Sequence, residues 1–180
     1  VREDGLRSGS RVEPQVISCA QLLSQGPGDN LHVKMTGFVL LPNFVYEESK
    51  ARWRGAWVPA VPVEAVGVAL ARVLGVAVSD LPAVDPHRRK EAADRLNASD
   101  FDVKIVVSLP NADGQDYVER VYDQDTIDGL LMVDDSLAKL DVDKRKMLER
   151  AYPQANLHEC WILVEGRKPS SLARVLAFQG

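Results

Sequence analysis

The chain has 180 residues, a formal net charge of −4 and a pI near 5.4, with 46% hydrophobic and 27% charged residues. That length and balance suit one globular domain with a sizeable core. They argue against a nucleic-acid partner, because such binding draws on a basic surface that displaces counterions.

Residues 1–14 are polar, carry Gly5, Gly9 and Pro14, and show no periodicity. They read as a flexible arm or linker, leaving 15–180 as a single domain. Val16 and Ile17 suit a short strand, and Ser18 can cap a helix over Cys19 to Ser24, which Gly26-Pro27 stops. Leu31, Val33 and Met35 alternate with His32, Lys34 and Thr36, the pattern of a half-buried strand. Gly37 follows as a bend, then an apolar run Phe38 to Leu41, a turn at Pro42-Asn43, and a second strand Phe44 to Tyr46. Glu47 to Arg52 is a charged connection. Trp53 to Val63 is a third extended run, and its two prolines predict an edge strand or one that leaves the sheet near Pro59.

Glu64 to Gly75 alternates well enough for a strand, but its length and its Ala and Leu content favour a helix. Asp85-Pro86 opens a surface helix to about Leu96, carrying the basic run His87 to Lys90. From Asp100 the order is strand, helix, strand, helix, strand. The first strand is Asp100 to Ser108, with Phe101, Val103, Ile105 and Val107 on one face. Tyr117, Val118, Val121 and Tyr122 follow as a helical stripe, and Ile127 to Val133 as a strand. Asp141 caps a helix to about Tyr152, and Leu157 to Glu165 is the last strand. Gly166 to Pro169 is a basic turn, after which Ser170 or Ser171 can cap a final segment.

The expected fold is therefore α+β. It is a strongly coiled, mostly antiparallel sheet of the kind that an OB-like or other small barrel closes, with peripheral helices.

Motifs that carry chemistry are scarce. There is no G-x-S-x-G, H-E-x-x-H or C-x-x-C, and the acidic run from Asp123 to Asp134 misplaces its glycine for a calcium loop. Cys19 and Cys160 form no disulfide framework and read as buried thiols, with a single bridge between them as the alternative. His158 and Cys160, at spacing two on a strand, share a face and could give an ion two ligands, with His32 as a third. That set supports an alternative reading as a metal-dependent hydrolase. Trp53 and Trp57, with Arg54 between them, suggest a contact surface, and in a third reading a stacking platform for single-stranded nucleic acid or sugar.

Three stretches carry a resemblance: GPGDNLHVKMTGF, NFVYEE followed by WRGAWVPAVPV, and CWILVEGRKPSS. They are similar to a family of uncharacterised bacterial membrane-anchored proteins, in which a domain of this kind is tied to the membrane by flanking hydrophobic helices. The resemblance implies an extramembrane, extracytoplasmic domain with the GRKP turn near the membrane and a span beyond Gly180. It implies no reaction and no cofactor. The chain's own apolar run, Ala56 to Val78, is broken by Pro59, Pro62, Glu64 and Arg72 and is no membrane span. The missing initiator methionine and the apolar end, Val175 to Phe178, agree with an excised fragment. The expectation is a non-enzymatic binding or assembly module whose partner is another protein or its own membrane-embedded segments.

Overall fold

The computed structural model describes residues 11–132 and 140–169. Asp134, Asp135, the cap at Ser170 or Ser171 and the apolar end lie outside them, as does most of the 1–14 arm. Eight strands form one sheet: β1 (Gln15–Ser18), β2 (His32–Thr36), β3 (Phe38–Leu40), β4 (Val45–Ser49), β5 (Arg52–Pro62), β6 (Ile105–Leu109), β7 (Ile127–Met132) and β8 (Trp161–Glu165). The order is β1-β2-β7-β8-β6-β5-β3, with β4 also on β5. Only β1·β2 and β6·β8 are parallel. β2 and β3 lie near opposite ends of that order, yet Gly37 alone joins them. The sheet therefore curls until its ends meet, which makes it a nearly closed, mostly antiparallel barrel. Gly37 takes φ +60, a left-handed conformation open to glycine at little cost.

Among the described residues five α-helices surround it: α1 (Cys19–Gln25), α2 (Val63–Leu74), α3 (Pro86–Asp94), α4 (Gln115–Tyr122) and α5 (Val142–Ala151). Their ends follow local chemistry. Ser18 and Gln21 form a capping box on α1, and Asp85 and Asp141 cap α3 and α5 through their side chains. Gly75 ends α2 in the left-handed conformation.

Two apolar clusters lie on the two faces of the sheet. Inside the curl are Val33, Met35, Leu40, Val58, Ile105, Val107, Ile127, Leu131 and Leu163, closed by Cys19 and Leu22 of α1 and Val118 and Val121 of α4. Outside, Val61, Val106, Leu130, Ile162 and Val164 pack under Leu148 and Tyr152 of α5 and its end. Each fully buried Leu or Ile contributes about 1.5–3 kcal/mol by leaving water. In β8 the expected alternation holds: Cys160, Ile162 and Val164 face outward and Leu163 inward.

Three expectations are corrected. First, β5 is not an edge strand, since it pairs with β6 on one side and with β3 and β4 on the other. Pro59 is tolerated because the chain between β3 and β4 leaves the ladder beside it. There Leu41 N donates to Pro59 O, and no second bond is lost. Second, Glu47 to Arg52 is mostly strand, with a turn of only Lys50 and Ala51, both at positive φ. Third, Phe101 and Val103 precede β6 and pack outside the barrel, whereas Ile105 and Val107 point in, so the four do not share a face.

Gly129 in β7 shows how tightly the curl is drawn. A Cβ there would sit 2.3 Å from the carbonyl oxygen of Val164 in β8, a backbone atom with no room to give. Gly129→Ala is expected to lower stability by about 3 kcal/mol, the upper range of overpacking costs. In contrast, Gly67 lies within α2, and an added Cβ would come no nearer than 3.9 Å to Leu81. Gly67→Ala should raise stability by up to about 1 kcal/mol. Urea denaturation of both variants checks the pair, and equal effects would contradict the close β7–β8 approach.

Candidate functional site

Trp53, Arg54 and Trp57 all lie on β5, but not on one surface. On a regular strand a spacing of four keeps two side chains on the same face. Here the register shifts between Glu47 and Glu48, which pair with Gly55 and Trp53, so that Arg54 is the extra residue of a bulge. Gly55, at φ +139, accommodates it. As a result Trp53 packs on the inner cluster and Trp57 on the outer one. Trp53 stacks on Tyr46, with ring centroids 4.0 Å apart and planes within 7°, and tilts against Phe44 at 6.2 Å. Tyr46 is 48% exposed. Trp57 is only 2% exposed and lies under the Lys144 ammonium, 4.6 Å from its ring centroid. Lys144 also bridges Glu47 of β4, at 2.9 Å, and Asp141. Burial alone would lower the Lys144 pKa, but hydrogen bonds to Asp141 and Glu47 outweigh it and hold the pKa above the ordinary lysine value.

The three candidate metal ligands are each engaged elsewhere. His32 is buried on the outer face of β2. Its Nε2 lies 3.0 Å from Asp128 Oδ1 and its Nδ1 3.2 Å from the Arg11 carbonyl oxygen, both of them acceptors. Buried Asn30 continues this network, accepting from Arg11 N and His32 N and donating to Glu13 O. His158 is on a 3₁₀ turn, Leu157–Glu159, rather than on a strand. Its Nδ1 faces Arg145 Nη1 at 2.8 Å. A guanidinium only donates, so this nitrogen is the acceptor. Cys160 Sγ donates to Leu157 O at 3.2 Å. Among the described residues no three His, Cys, Asp or Glu side chains gather as a metal site.

Both thiols are buried and unbridged. Burial, with Glu64 nearby, pushes Cys19 to about 12; burial pushes Cys160 to about 11, against a smaller opposing pull from Arg145. Because the thiolate is the reactive form, neither should react with Ellman's reagent in native protein at pH 8, and both should react after denaturation. A rapidly reacting native thiol would show that the core is more open there than described.

The concave feature with distinctive chemistry lies elsewhere. A cavity of about 250 Å³ opens between the barrel and the helical arm that α2 and α3 build. Val39 lines it from β3, Leu41 and Pro42 from the β3–β4 link, Val66 from α2, and Leu96, Ala98 and Phe101 from the segment after α3. Asn43 and Asn97 add polar groups to the lining, and Tyr152 is the one ionisable residue among the described residues that line it. Tyr152, at the C-terminal end of α5, is 1% exposed. Its hydroxyl accepts from Asn43 N at 3.0 Å, and its proton meets no acceptor among the described residues. Burial raises this phenol to about 12, so it keeps its proton across the physiological range. On the other side of the same link, Tyr122 of α4 donates to Leu41 O. Two phenols from two helices thus pin the four residues between β3 and β4. The sequence reading reaches Tyr152 as the end of the helix that Asp141 caps, with no sign of the cavity. The available clue was a tyrosine in an apolar helical stripe, since a buried hydroxyl needs a partner.

A second hollow, about 410 Å³, follows the barrel seam along β3, between Gly37 to Leu40, Val63 and the run Tyr122 to Asp125. Comparison of the chain with protein-family models, with curated proteins and with solved structures finds no match.

Proposed function

We propose that this chain is a non-enzymatic binding module and that its ligand site is the cavity between the barrel and the α2–α3 arm. The observation that carries the reading is the buried Tyr152 in a wall that has no charged side chain among the described residues. Such a site offers apolar contact, shape and a few hydrogen-bonding groups, which suits recognition. Proton transfer or nucleophilic attack at neutral pH asks for a group that titrates nearer that range, and a phenol raised to about 12 does not supply it. Attachment to a bacterial membrane belongs to the same proposal, on the strength of the sequence resemblance. No helix among the described residues is long and apolar enough to cross a membrane, so a tether would come from other segments.

Ala98 stands on the cavity wall, and Ala98→Trp should fill it. In a thermal-shift screen of small neutral compounds, ligands of the native protein should raise its melting temperature. At about 100 times Kd the added stability is ~2.7 kcal/mol. The same ligands should leave Ala98→Trp unshifted. Ligands that stabilise both proteins equally would place binding elsewhere and overturn this assignment.

A further inference from the structure

We infer that the cavity between the barrel and the α2–α3 arm selects compact, neutral, largely apolar molecules bearing one carbonyl-type oxygen, and that the Tyr152 hydroxyl is the donor that holds this oxygen. The inference rests on the binding-module reading and specifies its ligand.

Three observations converge. The first is the unfinished hydrogen bonding of Tyr152. A phenol both donates and accepts. Its oxygen already accepts from Asn43 N, so the unmet capacity is a donor, and a donor selects an acceptor. With the residue 1% exposed, a proton left unpaired is costly, and a ligand oxygen removes that cost. The second is charge. Among the described residues no acidic or basic side chain lines the cavity, so an ionic ligand would lose its hydration with no counter-charge there to replace it. The third is size. A cavity of ~150 Å³ lined by apolar side chains holds benzene. The 250 Å³ here suits a molecule somewhat larger, one ring with a short substituent, and falls below the 300–1,000 Å³ of drug-sized sites. Val66 and Leu96 on the arm face Leu41 and Pro42 on the barrel, so the ring would be held between two apolar walls.

The pinned link adds preorganisation. Leu41 O is fixed by Tyr122 and Asn43 N by Tyr152. The link is thus held in place on both sides, and Tyr152 makes no hydrogen bond to it beyond the one that it accepts from Asn43 N.

The test uses two probes of nearly the same shape, acetophenone and ethylbenzene, which differ in the carbonyl oxygen. Affinities are read by protein-observed NMR on native protein, Tyr152→Phe and Ala98→Trp, with shifts at Val66 and Ala93 reporting the site. Native protein should bind acetophenone about tenfold more tightly than ethylbenzene, the worth of one neutral hydrogen bond against an otherwise unpaired donor. Tyr152→Phe should bind both probes alike, and Ala98→Trp neither. If native protein and Tyr152→Phe show the same ratio of affinities, the Tyr152 anchor is refuted while the cavity remains a binding site. If neither probe shifts Val66 or Ala93 in native protein, the cavity holds only water, and the ligand assignment falls together with the site. A phenylalanine that disturbs the link would weaken ethylbenzene too. Thus the ratio between probes, rather than either affinity, decides the role of Tyr152.

Discussion

The fold depends on how little chain separates β2 from β3. Gly37 is the single residue between two strands that pair with different neighbours, β2 with β7 and β3 with β5. Successive Cα atoms are about 3.8 Å apart, so two such strands cannot occupy distant edges of an open sheet. The remaining strands must bend to bring those edges together. The inner cluster then becomes a closed core, capped by α1 and α4, instead of one face of a flat layer. Gly129 fits the same constraint from the other side, because β7 and β8 approach too closely there for any side chain. Along the seam the ladder is incomplete. Tyr122 bonds back to Leu41, and Asp123 and Asp125 sit beside the free side of β3, where charge discourages pairing with another chain.

Polar contacts lock the outer parts onto this core. Asn30 and His32 hold the backbone at Arg11 and Glu13 against β2, and Asp128 reaches them from β7. Lys144 joins α5 to β4 over the face of Trp57, where cation, ring and two carboxylates satisfy one another. Asp141 serves twice in that group, as helix cap and as ion-pair partner. Hydrogen bonds from Lys144 hold its carboxyl below the ordinary range.

Much of this was legible in the sequence because it is local. The alternation of Val33 and Met35 set β2, Ser18, Asp85 and Asp141 marked helix starts, and Gly26 and Gly75 marked stops. The two faces of β8 followed from period two alone. What was hidden depends on neighbours. The spacing of Trp53 and Trp57 promised a shared face, and a bulge set by pairing with β4 separated them. Pro59 looked like an edge residue because a gap in the opposite strand cannot be seen along one strand. The 157–160 stretch looked extended, yet Asn156 caps a turn through His158 N. The cavity draws on the β3–β4 link, α2, the segment after α3 and the end of α5, and no sequence window spans them. The exposed stacking of Tyr46 on Trp53 was closer to view, although its true partner was Tyr46 and not Trp57.

β5 and β6 are antiparallel neighbours, which a turn of about two to five residues suffices to connect. The chain instead inserts residues 63–104 between them, and these supply no strand to the barrel. Viewed as construction, the barrel is complete without the insertion, and the insertion is the wall that makes a hollow of the barrel's outer surface. Whatever the hollow holds is walled on one side by a segment that adds no strand to the sheet.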